Sequence, residues 1–313
     1  MYPLLTNLLE GVMENQKAQS VGVIGLGSMG MGAANSCIRA GLDVYGIDLN
    51  THALEVLKNK GAKAVSTNVL EFADKLDAVL ILVVNANQVN AVLFDSGFAA
   101  ALKPNTAIMV SATIAADDAK QIEAKLKEYQ LTMLDAPVSG GAIKAEAGEM
   151  TIMASGSKEA FDKLEPVLEA TASKVYNIGE EIGLGATVKI IHQLLAGVHI
   201  AAGAEAMALA ARANIPLDLM YDVVTNAAGN SWMFENRMKH VVDGDYSPKS
   251  MVDIFVKDLN LVSDTAKDLQ FPLPLSSTAL NMFVSASNEG FGKEDDSAVI
   301  KIFKGIDLPG VEK

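Results

Sequence analysis

The chain has 313 residues, half of them apolar and a fifth charged, a balance that suits a compact globular fold and excludes a disordered one. A formal net charge of −13 argues against a nucleic-acid partner, because such proteins need a basic surface to replace phosphate counterions. The single cysteine, Cys37, excludes an intrachain disulfide and a cysteine-based metal cluster, and it points to a reducing, cytoplasmic setting. Met1 to Glu10 lacks the basic start, long apolar middle and small-residue cleavage site of a secretory signal. Met13 offers an alternative start, and residues 1–19 are expected to be peripheral.

From residue 20, β-rich runs alternate with amphipathic stretches. Strands are expected at 21–24, 44–47, 78–84, 106–111, 131–136 and 151–155, with helices among them at 30–40, 53–59 and 116–129. This alternation predicts a parallel sheet covered on both faces, and the nearly all-apolar runs 78–84 and 106–110 suit strands buried on both sides. The first strand leads into Gly25-Leu26-Gly27-Ser28-Met29-Gly30, which opens a helix. There Gly25 permits the tight turn, Gly27 lets backbone approach a pyrophosphate, and Gly30 lets helix and strand pack closely. The helix N-terminus faces the negative charge. Asp48 ends the second strand, where a carboxylate accepts hydrogen bonds from the adenosine ribose and repels a 2′-phosphate. The fingerprint therefore predicts NAD in preference to NADP.

Asp135-Ala136-Pro137-Val138-Ser139-Gly140-Gly141 is a second glycine-rich element. It is either a plain turn or an anion-binding nest formed by the amides of Ser139, Gly140 and Gly141 with the Ser139 hydroxyl. After Gly183-Leu184-Gly185 a long alanine-rich helix is expected over 186–211, roughly 40 Å at about 1.5 Å per residue, enough to link two domains. Lys189, His192, Gln193, His199 and Glu205 interrupt it, so no membrane span is expected. Lys189, His192 and Gln193 fall at i, i+3 and i+4 and share one face. A lone helical lysine is usually a solvated surface group. In so apolar a stretch, burial and a positive nicotinamide would instead lower its pKa and fit it to exchange a proton near neutrality. Thereafter the pattern is helical, at 217–227, 232–242, 250–269, 274–289 and 297–304, with breakers such as Gly244, Pro248, Pro272, Gly290 and Gly292 between. His52, His192, His199 and His240 show no ligand spacing with carboxylates, so no metal is expected.

These elements together resemble the β-hydroxyacid dehydrogenase family, which includes 3-hydroxyisobutyrate, tartronate-semialdehyde and 6-phosphogluconate enzymes. The resemblance is carried by Val21-Gly22-Val23-Ile24 and the glycine turn that follows, by Asp135 to Gly141, by Gly183 with Lys189, and by Lys257-Asp258-Leu259. It implies an α/β fold: a doubly wound, mostly parallel Rossmann sheet at 20–182, a long interdomain helix at 183–212, and an all-α C-terminal domain at 213–313. The family usually assembles as a homodimer or homotetramer. The resemblance assigns Lys189 as general acid/base and Ser139, Gly140 and Gly141 to the carboxylate of a small hydroxy acid. Lys257 would line the cleft near nicotinamide and substrate, although taken alone it reads as part of a charged helix face. Thr113 matches a threonine next to the cofactor. Val83 and Val84 align with a Leu-Pro pair that packs there, so one proline is missing.

The family usually has Asn four residues after the lysine; here Gln193 stands there, preceded by His192. The run from Lys189 to His199 is similar to the L-threonate dehydrogenase branch, which oxidises a four-carbon sugar acid at C2 with NAD. His192, Gln193, Asn230, Ser231 and Lys257 offer the polar groups a polyhydroxy acid requires, while His192 alone reads more readily as a satisfied core histidine. A 3-hydroxyisobutyrate or tartronate-semialdehyde enzyme is the alternative. Imine reductases and non-catalytic NAD-binding sensors of this architecture generally lack the lysine, and such sensors carry basic partner-binding segments; this acidic chain keeps the lysine.

Overall fold

Short runs of β-branched and large apolar residues build the sheet. The computed structural model describes residues 19–311, so the alternative start at Met13 and almost all of the expected peripheral segment lie outside the described residues. The strands are β1 (Ser20–Ile24), β2 (Asp43–Ile47), β3 (Ala64–Ser66), β4 (Ala78–Ile81), β5 (Ala107–Val110), β6 (Thr132–Asp135), β7 (Val138–Ser139), β8 (Met150–Ser155) and β9 (Ala172–Gly179). They form one nine-stranded sheet in the order 3-2-1-4-5-6-8-7, with β9 pairing β8. Pairs from β3 through to β6 are parallel, as is β8–β9, while β6–β8 and β7–β8 are antiparallel. In that order the strands on either side of β1 and β4 run outward in opposite directions of sequence. A crevice therefore opens at their carboxyl ends.

Helices α1 (Ser28–Arg39), α2 (Thr51–Asn59), α3 (Ala86–Asn90), α4 (Phe98–Ala101), α5 (Ala116–Glu128), α6 (Gly141–Ala147) and α7 (Lys158–Thr171) cover the sheet. One apolar layer gathers Val23, Ala33, Leu80, Met109 and Leu164, and the other gathers Ile24, Leu93, Phe98, Ile108 and Ile122. The doubly wound, mostly parallel architecture is as expected. Details differ. β4 stops at Ile81 rather than 84, because the ladder ends with Leu82 N–H donating to the Ile24 carbonyl and Val84 N–H donates to Gln88 Oε1 instead of to a strand. β3 and β7 are too short to read, and β9 carries exposed lysine, tyrosine and asparagine without a clean alternation.

The second half is helical: α8 (Leu184–Arg212), α9 (Leu217–Thr225), α10 (Trp232–Asp243), α11 (Val252–Asp268) and α12 (Pro274–Ala286), closing with a 3-10 helix at Asp296–Ile302. By length and composition alone α8 is long and apolar enough to cross a bilayer, but half of its most apolar stretch is buried within the fold. The fold uses it instead as the axis of the helical half, where Ile190, Ile200, Ala204 and Met207 pack against Phe234, Phe255, Leu259 and Phe283. Its first turn is pinned to the sheet. Asp135, fully buried at the end of β6, accepts at Oδ2 from Gly183 N–H (3.0 Å), Ala186 N–H (2.8 Å) and Ser155 Oγ (3.3 Å). Burial pushes this carboxyl up to about 6, with those donors opposing. Gly185 permits the close approach, since a Cβ there would lie 2.5 Å from the Asp135 carbonyl oxygen. Lys189 is thereby set one turn above the sheet's carboxyl edge.

Candidate active site

A cleft of about 450 Å³ lies where that edge faces α8 and α11, within the size range of small-molecule sites. One wall consists of Gly27 to Gly30, Leu82 to Val84, Ser111 and Thr113; Val138 to Gly141 close one side. The opposite wall brings Lys189, His192, Gln193, Arg237, Lys257 and Asp258, with Trp232 at the rim. A wider hollow of about 820 Å³ at the far end of α8, bounded by Arg212, Asp218 and Asp307, contains no motif residue.

The first wall is backbone. Gly25 turns at φ +89°, and the first intrahelical bond of α1 runs from Met31 N–H to the Gly27 carbonyl. No side chain caps that helix, so the amides of Ser28, Met29 and Gly30 are left for an anion. A Cβ on Gly30 would fall 1.7 Å from the Gly25 carbonyl oxygen, whereas one on Gly27 would meet nothing within 4 Å. The turn is thus closed behind and open in front. Leu26 points into the core, and its N–H donates to Asp48 Oδ2 at 2.5 Å, while Asp48 Oδ1 accepts from Asn50 N–H at 2.7 Å.

The second wall is side chain. Lys189 is only 6% exposed, and burial pulls its amine down to about 8, with Asp258 opposing and Lys257 assisting. Gln193 is buried beside it and donates from Nε2 to Asp258 Oδ2 at 2.5 Å. His192 opens onto the cleft and is not the core histidine its helix position suggested: its ring contacts Gln193 Oε1 (3.0 Å) and Ser139 Oγ (3.4 Å). Lys257 Nζ donates to the carbonyls of Val84 and Thr113, both at 2.9 Å, and lies 2.8 Å from Asp258 Oδ1. It ties α11 to both loops of the opposite wall.

Residues 20–179 match the family model described as the NAD binding domain of 6-phosphogluconate dehydrogenase, and residues 183–303 match that described as NAD-binding of NADP-dependent 3-hydroxyisobutyrate dehydrogenase. The chain is 73% identical over 298 residues to the L-threonate dehydrogenase of Pectobacterium atrosepticum, covering 95% of this chain and 98% of that one. It is 72% identical over 293 residues to the L-threonate dehydrogenase of Escherichia coli strain K12, covering 93% and 97%. A crystal structure of 3-hydroxyisobutyrate dehydrogenase from Salmonella typhimurium matches with TM-score 0.89 at 68% identity, covering 91% of this chain and 100% of that chain. The chain belongs to the 3-hydroxyisobutyrate dehydrogenase-like family. Within it, the chain falls in the L-threonate dehydrogenase branch. It is a dehydrogenase that uses a nicotinamide dinucleotide.

The residues present fit that cofactor, because the free amides of the α1 N-terminus and the space in front of Gly27 form a phosphate cradle. For this dehydrogenase some motif residues sit behind the cleft surface: Gly25, Leu26 and Asp48 shape the turn from the rear. Ser231 stands outside the lining residues as the N-cap of α10, accepting from Phe234 N–H at 3.0 Å, and Asn230 donates to Thr225 O and Glu235 Oε2. Among the lining residues without an assigned role in the sequence reading, Asp258, Trp232 and Arg237 stand out. Asp258 was visible only as a neighbour of Lys257. Trp232 and Arg237 had no signal; Arg237 Nε pairs with the buried Asp296 at 2.6 Å, a carboxyl that burial pushes up to about 7 against that pairing.

Proposed function

We propose that this dehydrogenase oxidises L-threonate at C2 with NAD, giving 2-dehydro-L-erythronate, and that Lys189 is the general acid/base. The observation that carries the reading is the buried amine of Lys189, its pKa drawn down toward neutrality, across the cleft from the glycine turn. The dinucleotide, when bound, supplies the hydride acceptor. Lys189 takes the proton of the hydroxyl being oxidised and returns it in the reverse direction. Ser139, Gly140 and Gly141 hold the carboxylate, and His192 meets another substrate oxygen, with Gln193 and Lys257 lining the pocket beside it. The Asp48 carboxylate at the turn favours NAD, because a 2′-phosphate would bring like charges together.

The sugar acid is supported by the identity to enzymes named for it. The 3-hydroxyisobutyrate name of the Salmonella relative makes the branched acid the second reading. We read the chain as three working units, 20–182 for the dinucleotide, 183–212 as connector and 213–313 for substrate and oligomerisation. A homodimer or homotetramer is supported by exposed Leu195, Leu209, Leu219 and Val223 on α8 and α9, and a cytoplasmic setting by the lone, buried Cys37. A screen of NADH formation over both threonates, erythronate, tartrate, glycerate and 3-hydroxyisobutyrate tests the substrate. L-Threonate should give the highest kcat/KM; a preference for 3-hydroxyisobutyrate would overturn the assignment.

A further inference from the structure

Asp258 is 2% exposed and lies against Gln193 Nε2 and beside the Lys257 ammonium. A carboxylate so paired only accepts, so Gln193 turns its NH₂ toward it and its carbonyl away. That carbonyl oxygen, 3.0 Å from His192 Nδ1, also only accepts. The ring proton is therefore on Nδ1, assigned by the network, and Nε2 is left with a bare lone pair. Its neighbour is Ser139 Oγ at 3.4 Å, long for an O–H···N hydrogen bond, so this lone pair is weakly engaged at the cleft surface. Partial burial and the nearby Lys189 both lower the pKa of the imidazole, which keeps the ring neutral and the lone pair present.

The surrounding groups have the opposite character. Lys257 and the amides of the Ser139 turn donate, which suits a carboxylate, and Lys189 serves only the hydroxyl being oxidised, so the proton of a second hydroxyl needs an acceptor of its own. We infer that His192 Nε2 accepts a hydrogen bond from a substrate hydroxyl other than the one oxidised, and so selects polyhydroxy acids. Gln193 and Asp258 act through it as positioning residues that fix its tautomer. The inference rests on the hydroxy-acid dehydrogenase reading above. An acid without that hydroxyl leaves the lone pair to solvent at the cleft mouth and forfeits the hydrogen bond, so it binds less well.

The test compares L-threonate with the C2-matched enantiomer of 2-hydroxybutyrate, which keeps the carboxylate and the C2 hydroxyl but lacks the other two. The wild type should favour L-threonate. His192→Leu should lower kcat/KM for L-threonate roughly ten- to hundredfold, mostly through KM, with a clearly smaller fall for 2-hydroxybutyrate. His192→Gln, whose amide oxygen reaches toward the same place, should recover part of the loss. Equal falls on the two acids, or no fall on either, overturn the inference. Histidine-selective ¹⁵N NMR, with the signal assigned through His192→Gln, reads the relay itself. The Nδ1–H form should dominate in the wild type and lose that dominance in Gln193→Leu; an Nε2–H ring in the wild type overturns the inference. If the wild type oxidises neither acid, the substrate reading fails by itself, and the tautomer decides whether the relay stands.

Discussion

The two walls of the cleft are built from different material. The dinucleotide wall works through what is missing: no Cβ at Gly30, where backbone from Gly25 passes, and none at Gly27, where the cradle stays open. The facing wall works through what is present, a chain of side chains from Asp258 through Gln193 to His192, with the Lys189 amine beside it. A wall made of absences tolerates almost no addition. A wall made of side chains can be retuned residue by residue, which is how one fold serves several hydroxy acids.

The comparison is tested hardest at Lys189. Lys189→Met should cut kcat by about 10²- to 10⁴-fold, the range for loss of a general acid/base, while the dissociation constant for NAD stays near wild type. In the intact enzyme kcat/KM for oxidation should climb with pH and level off near 8, where the amine becomes neutral; the variant should lack that limb. Stability should move the other way. A lysine whose pKa falls from 10.5 to about 8 on folding binds its proton less well in the folded state than in the unfolded one. Below about pH 8 the buried charge is a full penalty, and that penalty fades as pH rises toward 10.5. Lys189→Met should therefore be more stable at pH 7, by up to about 3 kcal/mol on the scale of about 1.4 kcal/mol per unit. Denaturant unfolding at pH 7 and 10 checks the sign. A variant that unfolds earlier at pH 7 would show that the amine is not buried as a charge.

Gly30→Ala probes the other wall. The added methyl would sit on the Gly25 carbonyl, and backbone cannot swing aside as a side chain can. A loss of about 1–3 kcal/mol in stability from overpacking is expected, together with weaker NAD binding and unaltered discrimination between hydroxy acids. Normal NAD affinity in this variant would sink the account of a turn closed from behind.

The same contrast explains how much was legible in the sequence. Glycines at 25, 27 and 30 announce a local backbone geometry, and local geometry survives translation into a string of letters. Lys189, His192 and Gln193 were legible as one helix face because the 3.6-residue period is also local. The partner that organises them was not: Asp258 is 65 positions away from Gln193, and no period in the chain reports that contact. His192, offered both as a substrate group and as a core histidine, could not be decided for the same reason, since the face it shares with Lys189 turns toward a cleft whose other side comes from β7 and its turn. Asp135, read as the start of a glycine-rich loop, proves to be the group that pins α8 to the sheet. The edge strand β9 left no sign because its exposed polar face carries no hydrophobic alternation.

The smallest expected effect falls at Asp48, where the backbone wall borrows a side chain. Its carboxylate accepts from Leu26 and Asn50 amides and remains partly open to solvent, so any repulsion of a 2′-phosphate is screened. Asp48→Asn removes the charge and keeps one acceptor for the Leu26 N–H. A single charge contact near a protein surface is worth about 1 kcal/mol in high dielectric, so NADP affinity should rise by roughly fivefold to tenfold while NAD affinity falls only slightly. Fluorescence titration with both dinucleotides separates the cases. Should the variant bind NADP no better than the wild type, Asp48 would be a brace for the turn and nothing more, and cofactor choice would have to be sought in Leu49 and Asn50, which follow it on the exposed side of β2.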